Sequence, residues 1–246
     1  MLDTEHNNVQ INANVINMLI IAKQKSITKS EQEIQLAFMR PVSILERLKS
    51  GTRARHVALE SRTVLLSKDL SHSNYSQCLQ RFFGYYAPLE KHLLESPAWD
   101  EAGLVYDNRY KTPQIVQDLL ALGVAKNALT TIPQCNTLPE LKTTAQLFGC
   151  LYVLEGATLG GQIISKHLKA SLNLTPDFGC SFFAGYGQQT GPQWKAFGAC
   201  LTSFATQTGS DDEIIHSANK TFQTLDCWLY PAKMQGIQQE SMSQYE

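Results

Sequence analysis

The 246-residue chain carries 21 basic and 22 acidic side chains, and its formal charge of −1 leaves no basic surface with which to displace counterions from a nucleic acid. Hydrophobic residues at 43% and charged residues at 17% exclude a disordered or membrane-embedded chain and fit a single domain with a sizeable core. The cysteines (Cys78, Cys135, Cys150, Cys180, Cys200, Cys227) form no C-x-x-C pair, which reads as free thiols of a reducing compartment rather than a disulfide frame or a zinc site.

Residues 1–40 differ in character from the rest of the chain. MLDTEHNN lacks the basic start of a signal peptide, and the apolar stretch around Val15, Ile16, Leu19 and Ile20 is too short to span a bilayer. The segment reads as an extension, loosely ordered or partly helical, ahead of a main domain over 41–232 and a polar tail over 233–246. Met39, just before the main domain, is a candidate alternative translation start, and the protein is expected to be cytoplasmic, with no membrane segment.

From Pro41 the local signals sharpen. Ser43 and Glu46 form a capping box, and the spacing predicts a helix to about Leu66 with Leu45, Leu48, Thr52, His56, Leu59 and Thr63 on one stripe. A second helix is predicted after Ser71, bending at Pro88 and continuing through Leu93. Thr112 as cap with Pro113 at the first helical position opens a third. A loop over 127–139 precedes the longest helix, 140–172, whose pattern is interrupted by Gly156, Gly160 and Gly161. The turn-rich TPDFGCSFFAGYGQQTG leads to a helix after Pro192, and Asp211-Asp212 caps a last one ending near Tyr230. No segment alternates with period two and no internal repeat appears. The fold class predicted is all-α, an orthogonal multi-helix bundle.

Two features carry chemistry. His56 stands on an otherwise apolar stripe among Arg47, Lys49, Arg53, Arg55 and Arg62, and three glycines fall within six residues of an apolar helix. Each has an ordinary reading: a core histidine, a solvated basic face, a close helix crossing. A glycine inside a helix costs about 0.5–1 kcal/mol relative to alanine, so the cluster needs a compensating contact. Together they describe an imidazole to hold iron, a bare backbone to cover a flat ligand, and cations to receive carboxylates. Those are the needs of heme. Lys49 lies two turns before His56, ~10 Å along the same face, within reach of a propionate, and Arg53 projects from the same side.

These residues also carry a resemblance. ERLKSGTRARHVALE resembles the proximal-helix pattern of heme oxygenases, and LFGCLYVLEGATLGGQIISKHL resembles the distal-helix pattern of the bacterial branch associated with bacteriophytochromes. DLSHSNYSQCLQRFFGYYAPLE, FFAGYGQQTGPQWKAF and TFQTLDCWL are similar to that branch as well, so the likeness spans about Pro41 to Tyr230. It implies the family's fold and the oxidative opening of heme to biliverdin with release of CO and ferrous iron, using O2. It implies His56 as the iron ligand, Gly156, Gly160 and Gly161 as the distal glycines, Lys49 as a propionate partner, and, more remotely, Tyr186 and Lys195 near the propionates. Animal-type members carry an aspartate where this chain has Ala157, so proton delivery must use other groups.

No flavin or nicotinamide motif is present, since a G-x-x-G-G within a helix is not a dinucleotide loop. Electrons are therefore expected from a ferredoxin, a reductase or ascorbate. The basic residues of the first helix form a possible docking face for an acidic donor, and a phytochrome is a possible recipient of the product. Three alternatives stay open: a heme-binding or transfer protein without turnover, a di-iron oxidase using Glu213 and His216, and a thiaminase-like enzyme using Cys150 or Cys200. His167 is the alternative iron ligand, and an exposed position is expected for it.

Overall fold

The computed structural model describes residues 42–231, so the readings of the extension and of the C-terminal tail lie outside the described residues. Helix α1 (Ile44–Arg62) begins as its capping box dictates: the Ser43 hydroxyl accepts the Glu46 N–H at 3.3 Å, and the Glu46 carboxylate accepts the Ser43 N–H at 2.9 Å. It stops at Arg62, short of the predicted Leu66. Thr63 is extended, its hydroxyl takes the Leu65 N–H, and β-branched Thr63 and Val64 favour that geometry over another turn.

Helix α2 (His72–Leu94) is capped by Ser71 and runs through Pro88. After a short helix α3 (Ala98–Ala102) comes α4 (Thr112–Ala121), whose start corrects the predicted cap. Thr112 is already helical, and Glu90 of α2 does the capping from across the core. Its carboxylate accepts the Lys111 N–H at 2.9 Å, the Thr112 N–H at 2.7 Å and the Thr112 hydroxyl at 2.6 Å. A charged acceptor at a helix N-terminus satisfies the free N–H groups better than a local hydroxyl could.

The predicted loop over 127–139 holds a 3-10 turn at Lys126–Thr131. Helix α5 (Thr144–Leu172) starts at its cap Thr143, four residues later than predicted, and runs unbroken through its glycines to Asn173, which takes the left-handed conformation (φ 55°). It is long and apolar enough to cross a membrane, yet over half of its apolar window is buried inside the bundle, so it serves as the core helix. A single turn, α6 (Ser181–Ala184), leads to α7 (Thr190–Thr208), which begins ahead of Pro192. In α8 (Asp211–Leu229) the two aspartates sit in the first turn rather than at the cap, where they face the positive helix end and Arg47.

The described residues contain no strand, only isolated bridges at Thr175, and the fold is the all-α bundle the sequence pattern implies. Helix α8 is its axle, packed on α5, α1 and α2. Contacts along α8 fix the directions of its neighbours. Arg47 meets Asp211, His56 meets Phe222 and Arg62 meets Asp226, so α1 runs parallel to α8. Thr143 donates to Glu213 and Ser217 donates to the Gln146 carbonyl, so α5 runs the same way. The close crossing of α5 and α8 needs Gly149: a Cβ there would overlap the Ile214 carbonyl oxygen and stand 2.6 Å from Ser217 Cβ.

Candidate active site between two parallel helices

Parallel to the same axle, α1 and α5 are parallel to each other, and Tyr152 of α5 lies close enough to Thr52 of α1 for the two hydroxyls to interact. One turn further along each helix, ~5.4 Å on, stand His56 and Gly156, and Gly160 comes a turn later. Beyond Thr52, α1 buries no residue, and only Leu59 is half-covered. Its predicted stripe is therefore real at Leu48 and Thr52 but opens at His56, whose side chain is 54% exposed.

The His56 ring is held on two sides. Phe222 of α8 meets it edge-on at 5.8 Å between centroids, and Nδ1 lies 3.2 Å from Glu60 Oε2. A carboxylate beside Nδ1 favours the tautomer protonated there, which leaves the Nε2 lone pair for a metal. Sequence reasoning missed Glu60. An acidic residue four positions on was the available signal, and it was indistinguishable from a solvated charge.

The three glycines have different surroundings. Among the described residues, a Cβ at Gly160 would meet nothing within 4 Å, and one at Gly156 would only brush the Trp194 ring at 3.9 Å. At Gly161 a Cβ would stand 2.7 Å from the Phe183 carbonyl oxygen. Gly161 is thus bare because α6 packs on it, whereas the sequence reading had all three facing a ligand. Next to Gly160 on α5, Leu159 and Ile163 expose 41% and 63% of their surface, and Val57, next to His56 on α1, exposes 53%.

The basic cluster divides. Arg47 is spent on Asp211 and Asp212, each at 2.6 Å, and Arg62 on Asp226 at 2.7 Å and on the Tyr230 carbonyl. These two tie α1 to α8, while Lys49, Arg53 and Arg55 are exposed on α1 and Lys195 is exposed on α7. Tyr186 is not placed as a free partner for a carboxylate. Its hydroxyl donates to Glu155 Oε1 at 2.6 Å and accepts from Lys111 Nζ.

That contact belongs to a buried ionic group the sequence did not announce. Arg109 Nη1 lies 2.6 Å from Glu155 Oε2, and Lys111 Nζ lies 3.6 Å from Glu155 Oε1 and donates to the Arg109 carbonyl at 2.6 Å. Side-chain exposure is 7% for Arg109, 4% for Lys111 and 1% for Glu155. Burial pulls the Lys111 ammonium down to about 8, although Glu155 and Glu90 act in the other direction. The one signal in the sequence was Glu155 itself, a charge inside the apolar run LFGCLYVLEGATLGG.

The remaining candidates fall into structural roles. His167, expected to be exposed, is half-buried with Nε2 3.0 Å from the Ser67 carbonyl. Glu213 accepts from Thr143 and His216 is exposed, and the described residues hold no group of three or more His, Cys, Asp or Glu side chains fit for a metal ion. Cys150 is fully enclosed and burial pushes its thiol up to about 12, which leaves it inert as a nucleophile.

A family model described as heme oxygenase matches residues 42–229. Among solved structures, the chain is similar to the NO- and CO-bound heme oxygenase from Neisseria meningitidis, at 21% identity and a TM-score of 0.65 over 77% of this chain and 91% of that one. The heme oxygenase from Leptospira interrogans matches at 18% identity and a TM-score of 0.61, covering 76% of this chain and 98% of its own. Heme oxygenase-2 from Synechocystis sp. PCC 6803, in complex with heme and NO, matches at 16% and 0.60 over 76% and 84%. No curated relative matches the chain by sequence.

Proposed function

The chain belongs to the heme oxygenase family, and from that premise we propose that it opens heme to biliverdin in the cleft between α1 and α5, with His56 Nε2 holding the iron. The observation that carries this reading is the pairing of a Glu60-oriented imidazole with bare backbone at Gly156 and Gly160, one turn past the Thr52–Tyr152 contact. The residues present fit a flat, anionic macrocycle. No described residue would meet a Cβ at Gly160, Leu159 and Ile163 beside it on α5 and Val57 beside His56 on α1 are exposed apolar side chains, and the cations of Lys49 and Arg53 on α1 and Lys195 on α7 are exposed.

Heme is the substrate, and its iron supplies the activation of O2 when bound. The chain contributes position and exclusion. Glu60 fixes the His56 tautomer and ring plane. The glycine backbone admits the macrocycle to van der Waals distance, which no side chain would allow, and confines one of its edges. Lys49 and Arg53, with Lys195 as the weaker candidate, pair with the propionates. Electrons come from outside, from a ferredoxin, a reductase or ascorbate, and the products are biliverdin, CO and ferrous iron. The motifs around LEGATLGG support placement in the bacterial, bacteriophytochrome-associated branch, with a phytochrome as a possible recipient of the product and a cytoplasmic setting.

Aerobic turnover tests the reading. Hemin added to the purified chain is expected to give a histidine-ligated Soret band, which decays on addition of ascorbate or a ferredoxin system as biliverdin appears by chromatography. His56→Ala is expected to abolish that ligation while His167→Ala keeps it. A Soret band that persists under reductant and O2 would leave a heme-binding protein without turnover.

A further inference from the structure

Glu155 is a costly residue for its position. A carboxylate with 1% of its side chain exposed loses its hydration, and so do the two cations that meet it. Apolar residues of the same volume would often stabilise such a core equally or better, so the ion cluster is not explained by stability. What it adds is direction. Apolar packing lets a helix roll or slide by small amounts, whereas hydrogen bonds at 2.6 Å to Arg109 and Tyr186 fix the azimuth of α5 at this turn.

The fixed turn is the one that leads into the open glycines. Glu155 directly precedes Gly156, and the same flank of α5 is tied again downstream. The Gly161 backbone rests on Phe183, and Gln162 Nε2 donates to the Ala184 carbonyl at 2.8 Å. Ties thus run along one flank at 155, 161 and 162, while on the neighbouring flank, at 156, 160 and 163, the described residues offer only the Trp194 ring near Gly156. Gly156 and Gly160 have no side chains with which to set their own register.

Resting on the reading of the cleft as a heme site, we propose that Glu155, clamped by Arg109, Lys111 and Tyr186, is a positioning residue that sets the azimuth of the bare strip and so selects which edge of the macrocycle is attacked. A tetrapyrrole has four inequivalent bridging carbons. A strip rolled by a few degrees confines a different edge without changing how much surface it covers. The clamp therefore acts on regiochemistry and leaves uptake nearly unchanged.

Two variants test this, Tyr186→Phe, which removes only a hydroxyl from a half-buried ring, and Glu155→Gln, which keeps shape and removes charge. Hydrogen–deuterium exchange of the free chain is expected to show at least tenfold faster exchange over 156–163 in both, with other helices unchanged. The hemin Kd from Soret titration is expected to stay within threefold of the parent. The biliverdin isomer distribution is expected to shift from one dominant product to a mixture, a readout that a merely structural role would not move. Parent-like isomers and parent-like exchange in folded Tyr186→Phe would overturn the proposal, whether or not Glu155→Gln folds. If the parent chain takes up no hemin, the heme reading fails, and the exchange arm still decides whether the clamp holds the strip.

Discussion

The two halves of α5 are built on opposite rules. From Thr144 to Glu155 the helix is enclosed by α8, α7 and the aromatic core, and Gly149 is there because the α8 backbone leaves no room for a Cβ. From Gly156 onward one flank still packs, but Ala157, Leu159, Gly160 and Ile163 are exposed, and the missing side chain at Gly160 meets no described residue. α1 repeats the pattern, buried up to Thr52 and open from Arg53. A glycine therefore means two things within one helix. At Gly149 in the closed half it permits a helix crossing, and at Gly160 in the open half it keeps a surface clear. The closed halves act as the rigid mount from which the open halves project.

Substitutions at the glycines should separate these meanings most sharply. Gly149→Ala forces a methyl into the α8 backbone and is expected to destabilise the fold by about 2–3 kcal/mol, in the range of core overpacking, read as a lowered urea midpoint. Gly160→Ala should do the reverse in the free chain. It gains helix propensity of about 0.5–1 kcal/mol and meets no described residue, so the midpoint should rise while hemin affinity falls. If Gly160→Ala lowered stability, the open half would be packed after all and the contrast would fail.

Next in size is the mount of His56. Glu60→Gln leaves the fold intact, since both partners are largely exposed, but weakens the hold on Nδ1. Loss of an outer-shell partner of a ligating histidine costs about 10–100-fold in affinity or activity. Glu60→Gln is therefore expected to weaken hemin binding or turnover to that extent, with an unchanged thermal midpoint. Parent-like binding would mean that Phe222 alone orients the ring.

The helices were legible in the sequence because their caps and periodicity are local, and the bundle could be built from them. Their ends were less so. The start of α4 is made by Glu90, a residue 22 positions away from Thr112, which no reading of a cap motif at Thr112 could supply. The site divides the same way. His56 and the glycines stood out because their residue types conflict with their apolar surroundings. Gly161 could not be told from Gly160 by type, because only the position of Phe183 distinguishes them. Arg109 and Glu155 are 46 positions apart and meet only through packing. Arg109 lies in a short 3-10 turn whose charge reads as surface until the fold encloses it.

The smallest expected effect concerns the packed flank of the open half. α6, which backs Gly161, is held at its start by Asp118 of α4, whose two carboxylate oxygens accept the Ser181 and Phe182 N–H groups at 2.7 and 2.8 Å. Burial pushes the Asp118 carboxyl up to about 6, and the two N–H groups oppose that shift without cancelling it. Its pKa is raised in the folded chain, so between about 4 and 6 the native state holds a proton that the unfolded state has released. Stability from this group is therefore fully present below about 4 and is lost as pH rises through about 6, the opposite slope to that of a salt-bridged aspartate. Asp118→Asn removes the titration, and with only one acceptor oxygen it can serve only one of the two N–H groups. Urea midpoints measured from pH 4 to 7 should then be lower for the variant at neutral pH and differ from the parent by a gap that narrows as pH rises. A gap that is constant across the window would mean that Asp118 stays ionised throughout, and that α6 is held behind the glycines by the carboxylate at every pH.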